Sequence, residues 1–362
     1  MTIPSGDPTP TPAPAAAAAA PEGEVTSEQL SLTRRLRQPK TIISIVLPIV
    51  LLSLFVKSLP GFKLEELPDK ILGANPWLLL AAFTIFYAGF PLRGLRWTML
   101  VRRTGFRLKV RDGTEIIFLS WLVNCLVPAK LGDVYRAWLL KINSPVSLSR
   151  TFGTVFIERV LDLFAIVVLG LAAGFVSFRS GLPGDVQIVF LIGVVFVLAL
   201  AGGLLTMRNF GRRIITRLPL PHRVLEFYDR FEEGVFASIG LRALPRLVVV
   251  TGFIWATEAM RLYLVVLALN LPGVHLGISG AFFIALSASL LTAVPLTPAG
   301  IGFVEGGVVG LLTIVYGVSQ TDALAITLVD RAISVLTIII LGSIAYAISG
   351  KRRGTGIVEA PA

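Results

Sequence analysis

The chain has 362 residues, 54% of them hydrophobic and 15% charged, with a mean hydropathy of +0.80, which excludes a soluble globular domain and points to a polytopic membrane protein. One cysteine excludes an internal disulfide and two histidines leave few soft metal ligands, so no metal or cofactor is expected. The net charge of +11 does not read as nucleic-acid binding, because the basic residues flank apolar stretches, where they report topology and contact with anionic lipid.

Residues 1–40 include "TPTPAPAAAAAAP", are too poor in large apolar groups to bury a core, and are expected to form a disordered cytoplasmic tail. Arg34, Arg35, Arg37 and Lys40 then precede the first apolar run with no short leader and cleavage site before them, as in a retained signal anchor. Full spans are predicted over 41–59, 76–100, 150–177, 187–206, 247–270 and 322–349. Two further apolar regions are interrupted, 114–141 by "VPAKLGD" and 278–317 by "PLTPAGIGFVEGG". Within 207–246, Val224, Phe227, Tyr228, Phe231 and Val235 recur at helical spacing, which predicts an amphipathic helix either lying on the cytoplasmic leaflet or packed on the bundle. A single transmembrane domain covers 41–350, and 351–362 is a short cytoplasmic tail.

Basic residues crowd 34–40, 102–111, 208–246 and 351–353, whereas 270–278 holds no Lys or Arg. All four clusters share one side only if each interrupted region crosses an even number of times, as two full spans or as a re-entrant hairpin. Proline and glycine at the middle favour the hairpin. Non-helical backbone at that depth is tolerated only against protein or water, so the breaks point to a polar cavity. The expected fold is an all-α polytopic membrane protein with six full spans and two interrupted or re-entrant helical hairpins.

The two interruptions resemble each other. "VPAKLGD" at 127–133 and "TPAGIGF" at 297–303 share Pro-Ala-x-[Leu/Ile]-Gly, with Pro128 and Gly132 lying 170 residues before Pro298 and Gly302. Glu158-Arg159 follows the first and Asp330-Arg331 the second, while Arg93 and Arg261 precede them. Three features in one order at nearly one offset suggest that 77–177 and 247–349 are duplicated halves, and the topology gives them opposite orientations, as an inverted-topology repeat.

Ionisable groups inside the hydrocarbon cost ~2.5–3.5 kcal/mol each on insertion scales. Arg93, Arg96, Lys130, Asp133, Arg136, Glu158, Arg159, Asp162, Glu258, Arg261, Glu305, Asp330 and Arg331 therefore need partners or a water-filled site. In a structural reading, Glu158 and Asp162 share a helix face at i and i+4 and take a cation from Arg93, Arg96 or Arg136. In a functional reading, arginines in a broken-helix cavity bind phosphate, because the guanidinium fork matches phosphate oxygens and an exposed helix start adds free N–H groups. Asn124, Lys130, Arg136 and the backbone after Pro298 then form a headgroup site, with the acids holding the arginines and Glu305 meeting a cationic or hydroxyl group. No nucleotide-phosphate loop, zinc-protease motif or hydrolase nucleophile elbow is present in the sequence.

"RGLRW" at 93–97, "NCLVPAKLGDVYRAWLL" at 124–140, "ERVLDL" at 158–163 and "PLTPAGIGFVEGG" at 295–307 stand in the order typical of the lysylphosphatidylglycerol synthase transmembrane family, the flippase-like domain proteins, which the chain resembles over roughly 41–349. By that resemblance Arg93, Arg96, Asn124, Pro128, Gly132, Arg136, Glu158, Arg159, Asp162, Pro298, Gly300, Gly302 and Glu305 occupy motif positions. Asp133 stands where the family usually has Glu, and Ala299 where it usually has Gly. The large synthases of the family add a soluble aminoacyl-transferase domain, which is not expected here. The resemblance implies a lipid translocase in a bacterial inner membrane, with both termini cytoplasmic, that moves a phospholipid or polyprenyl-phosphate headgroup. The alternatives are an integral-membrane transferase acting on a lipid phosphate, or a membrane partner of a separate lipid-modifying enzyme.

Overall fold

Apolar runs that carry arginine in their middles become the central helices, because the only way to keep such a run in a membrane is to turn the charges toward other helices. The computed structural model describes residues 64–128, 130–178, 184–207, 221–238, 242–292 and 297–354, with 50, 213, 217 and 240 as isolated positions. The first expected span, 41–59, and both chain tails lie outside these residues apart from Val50 and the stretch to 354. Every regular element among the described residues is helical.

A short α1 (Leu67–Leu72) leads to α2 (Pro76–Arg103), which starts where Asn75 accepts hydrogen bonds from the Trp77 and Leu78 N–H groups and Pro76 occupies the first turn. The first interrupted region becomes α3 (Val110–Leu126) and α4 (Leu131–Asn143). At 1.5 Å per residue these arms are roughly 25 and 20 Å long, short of the ~30 Å hydrocarbon core. Next come α5 (Leu148–Ser177), capped by Ser147, and α6 (Gly184–Thr206), which leaves Ile188, Leu191, Ile192, Val195 and Phe196 exposed as a lipid-facing row would be.

The amphipathic segment forms α7 (His222–Ser238). Its Val235 is buried and its Phe231 meets Phe152 and Phe156 of α5, while Val224 and Phe227 stay exposed, so only the second half of the apolar stripe is docked. Gly153 and Gly234 let the two helices touch: a Cβ on Gly234 would lie 2.2 Å from the Arg150 carbonyl oxygen.

Helix α8 (Leu244–Leu269) packs along α2. The second interrupted region becomes α9 (Ile278–Leu291), a 3-10 turn at Pro298–Gly300 and α10 (Phe303–Gly310), which runs on as a π turn over Leu311–Val315. The final span divides into α11 (Gln320–Arg331) and α12 (Thr337–Ile348) around a π turn at Ala332–Leu336. Among the described residues five segments are long and apolar enough to cross a membrane: Pro76–Arg103, Leu148–Ser177, Leu244–Leu269, Pro298–Val315 and Gln320–Ile348. The fourth of these lies in the second interrupted region, for which the sequence leaves two full spans or a re-entrant hairpin open; once the π turn is included its 18 residues reach span length.

Contacts between loops sort the helix ends into two groups. At one end Lys70 binds Asp322 (2.9 Å), the Asn75 N–H donates to the Ala268 carbonyl (2.7 Å), and Ser177 meets Tyr316 (3.2 Å). At the other, Lys351 sits between Asp112 and Glu115 (2.8 Å each), Asn143 donates to the Lys351 carbonyl, and Arg150 pairs with Glu233. Burial draws the Lys351 ammonium down, but the hydrogen bonds to Asp112 and Glu115 outweigh it and hold its pKa above the usual lysine value. Both ends of each interrupted region fall within one group.

Candidate functional site

The first break is built by its own sequence. Pro128 ends α3, and Lys130 adopts the left-handed region (φ 49°) before α4 begins. Asn124, two residues before the end of α3, accepts a hydrogen bond from the Gly132 N–H at 2.8 Å, so it caps the broken helix start. Gly132 is required there, since a Cβ would lie 2.1 Å from the Ser120 carbonyl oxygen across the hairpin.

The second break repeats the device with different groups. Ala299 (φ 51°), Gly300 (φ 72°) and Gly302 (φ 90°) have positive φ, and Gly300 stands 170 residues after Lys130. Glu305 accepts from the Gly302 N–H at 2.6 Å and caps its own helix from the third position. Its other oxygen takes the Arg331 Nε at 2.6 Å, and the Arg331 Nη2 reaches the Ala299 carbonyl at 2.6 Å, locking α11 to the turn.

Among the described residues six interior arginines and six carboxylates pair one to one: Arg93 with Glu258, Arg96 with Asp162 (2.6 Å), Arg136 with Glu158 (3.0 Å), Arg159 with Asp133 (3.4 Å), Arg261 with Asp330 (2.8 Å) and Arg331 with Glu305 (2.6 Å). Cross-links join them further: Arg96 also reaches Glu158 at 3.0 Å, and Arg261 also meets Glu258. Aromatic faces cover the guanidiniums of Arg93 (Trp121, 4.6 Å), Arg136 (Trp97, 5.0 Å) and Arg261 (Phe86, 5.0 Å). Lys130 is the remaining interior cation, and among the described residues it makes no ion pair or side-chain hydrogen bond.

A cavity of about 210 Å³ opens between the two breaks. Of the residues singled out in the sequence, Asn124, Lys130, Arg159, Arg261, Gly300, Asp330 and Arg331 line it. Arg159 keeps 36% of its side chain accessible near the middle of α5 because it faces this space. Arg93, Arg96, Asp133, Arg136, Glu158, Asp162, Pro298, Gly302 and Glu305 are not on its wall, and Arg96 and Arg136 are only 1% exposed. Glu305 therefore touches an arginine rather than the cavity.

The sequence reading passed over Trp121, Trp255, Ser289, Thr292, Thr297 and Ser334, all of which line the cavity. A signal existed for two of the helices: Trp121 precedes Asn124 by three residues and Ser289 precedes Thr292 by three, the spacing of one helix face. Glu258, weighed only as an interior acid, also lies on the wall. No group of three or more metal-ligating side chains occurs among the described residues.

The family model described as the lysylphosphatidylglycerol synthase TM region matches residues 41–342. A UPF0104 membrane protein of Methanocaldococcus jannaschii is 37% identical over 228 residues, covering 62% of this chain and 93% of that protein. Glycosyltransferase AglD of Haloferax volcanii is 29% identical over 336 residues, covering 83% of this chain and 53% of AglD, so the chain spans about half the length of that relative. A UPF0104 membrane protein of Methanothermobacter thermautotrophicus is 27% identical over 300 residues, covering 76% of this chain and 86% of that protein. All three relatives are archaeal, so they lend nothing to the bacterial part of the expected location; a multi-pass membrane protein is what stands.

Proposed function

Since the chain belongs to the lysylphosphatidylglycerol synthase transmembrane family, we propose that it is a flippase-like lipid translocase whose cavity takes the phosphate-bearing headgroup of a phospholipid or a polyprenyl phosphate. The observation that carries this reading is the cavity itself, where an unpaired Lys130 and the accessible Arg159 face the broken helix starts. A charged headgroup crossing the membrane needs a wall that replaces its hydration, and guanidinium and ammonium groups supply it. The sealed arginines then act as scaffold: they fix the helices that carry the wall.

In this reading the two interrupted regions are hairpins entering from opposite faces, related as an inverted repeat in a membrane whose basic side holds both termini. Supporting it, Lys130 and Gly300 share the left-handed conformation at matching places in the two motifs, and α2 is tied to α5 by an arginine–acid pair (Arg96 with Glu158 and Asp162) as α8 is to α11 (Arg261 with Asp330), although the arginine is one turn out of register because Arg93, the counterpart of Arg261, pairs with Glu258. Rocking one half against the other around a fixed site is the motion such a repeat permits.

A second reading, a transferase acting on a lipid phosphate or a partner of such an enzyme, draws on the printed name of AglD. Against it as chemistry, Asp133, Glu158 and Glu305 each pair with an arginine and none of them lines the cavity where a lipid phosphate would sit.

Reconstitution into vesicles tests the proposal. The wild type should equilibrate a labelled phospholipid or polyprenyl phosphate between leaflets, and Arg159→Gln should slow it at least tenfold. Movement of no such lipid, or wild-type rates in Arg159→Gln, would reject it.

A further inference from the structure

The charge count of the interior has a chemical consequence for the ligand. Among the described residues its six arginines are matched by six carboxylates, which leaves the positive charge of Lys130 on the cavity wall. A ligand with one negative charge completes the balance. A phosphomonoester dianion would leave an uncompensated negative charge in the bundle, and a zwitterion would leave Lys130 uncompensated. A cationic headgroup would find each of those six carboxylates already taken.

The hydroxyls on the wall add a second constraint. Ser289, Thr292, Thr297 and Ser334 each spend their O–H on a backbone carbonyl, of Ala285, Ser289, Ile301 and Asp330 respectively. Their oxygens therefore meet the cavity as acceptors, which suits a ligand rich in O–H donors. The indoles of Trp121 and Trp255 supply apolar faces beside them.

We infer that the site selects a phosphodiester with a single negative charge whose headgroup is a neutral polyol, glycerol or sugar, with Lys130 as the residue that reads the charge. The inference rests on the cavity being the headgroup site of the proposed translocase. It does not require that the lipid be moved.

The test is binding to the full chain in phosphatidylcholine nanodiscs, read by native mass spectrometry. The lipids compared are phosphatidylglycerol, phosphatidic acid, phosphatidylethanolamine and phosphatidylmethanol, a phosphodiester without the polyol. Phosphatidylglycerol should bind at least tenfold better than each of the others. Lys130→Gln should abolish the preference over phosphatidylethanolamine, and Lys130→Arg should keep it. Equal binding of phosphatidic acid or phosphatidylethanolamine would overturn the charge argument, equal binding of phosphatidylmethanol would overturn the polyol argument, and an unchanged preference in Lys130→Gln would overturn the role of Lys130. Glycerophosphoglycerol added in solution should compete and inorganic phosphate should not; the reverse would mean a free-anion site. Selective binding without translocation in vesicles would leave this inference standing and remove the translocase reading, whereas translocation without selectivity would do the opposite.

Discussion

Arg96 is 1% exposed and stands between Asp162 at 2.6 Å and Glu158 at 3.0 Å, with the Thr251 hydroxyl accepting a further hydrogen bond at 3.0 Å. Removing it strands two carboxylates in a low-dielectric interior, and breaking a buried pair from one side costs roughly 3–5 kcal/mol. Arg96→Ala should therefore lower the thermal midpoint in detergent sharply. Arg96→Met combined with Asp162→Leu, which removes a charge from each side, should recover part of the loss. A single variant as stable as the wild type would show that Arg96 is not scaffold. Lys130 is the opposite case. A non-glycine residue held in the left-handed region costs about 1–3 kcal/mol unless its surroundings repay it, and the corresponding place in the second motif carries glycine. Lys130→Gly should raise the thermal midpoint while weakening anionic lipid binding; a variant that is less stable would mean that the side chain supports the fold rather than the ligand.

The hairpins depend on close approach more than on hydrophobicity. Gly132 has the Ser120 carbonyl where its Cβ would be, and Asn124 closes the same crossing from α3. Gly132→Ala should splay the arms, read as faster hydrogen exchange through α4 and loss of lipid binding, whereas Asn124→Ala should cost only about 0.5–2 kcal/mol as a lost cap. Equal, small effects from both would remove the argument that backbone contact shapes the break. This dependence explains what was legible beforehand. Helices α2, α5, α6, α8 and the α11–α12 pair follow from hydropathy within a few residues, and the breaks follow from Pro128 and Pro298. Glu158 and Asp162 take their cations from Arg96 and Arg136, two of the three the sequence offered, but the other pairs did not follow, because i, i+4 spacing names a shared face but not the helix opposite: Glu258 went to Arg93 on another helix and Glu305 to its own cap and Arg331. The cavity wall of small hydroxyls stayed hidden for the same reason, since serine and threonine cost little anywhere in a membrane helix and leave no periodic mark.

For the molecule as a whole, the two groups of loop contacts carry the topology argument. The ties among Lys70, Asn75, Ala268 and Asp322 gather α1, the start of α2 and α11 and the end of α8 at one end, and Lys351 with Asp112 and Glu115 gathers the start of α3 and the chain after α12 at the other. The basic clusters at 102–111 and 351–353 belong to the second end, which the proposed topology takes as the cytoplasmic one by the positive-inside rule. Each interrupted region must then return to the face it left. Cys125 is the single native cysteine and can be replaced by serine, so accessibility to a membrane-impermeant maleimide can be read one position at a time. Arg107→Cys and Pro145→Cys, before and after the first region, should label only from the cytoplasmic side. His275→Cys and Ser319→Cys, flanking the second, should label only from the opposite side, with Ser319→Cys also losing the α11 cap at about 1 kcal/mol. Opposite labelling of the two members of either pair would mean an odd number of crossings. It would take away the opposed-hairpin topology on which the inverted relation rests, although the cavity and its ion pairs would remain.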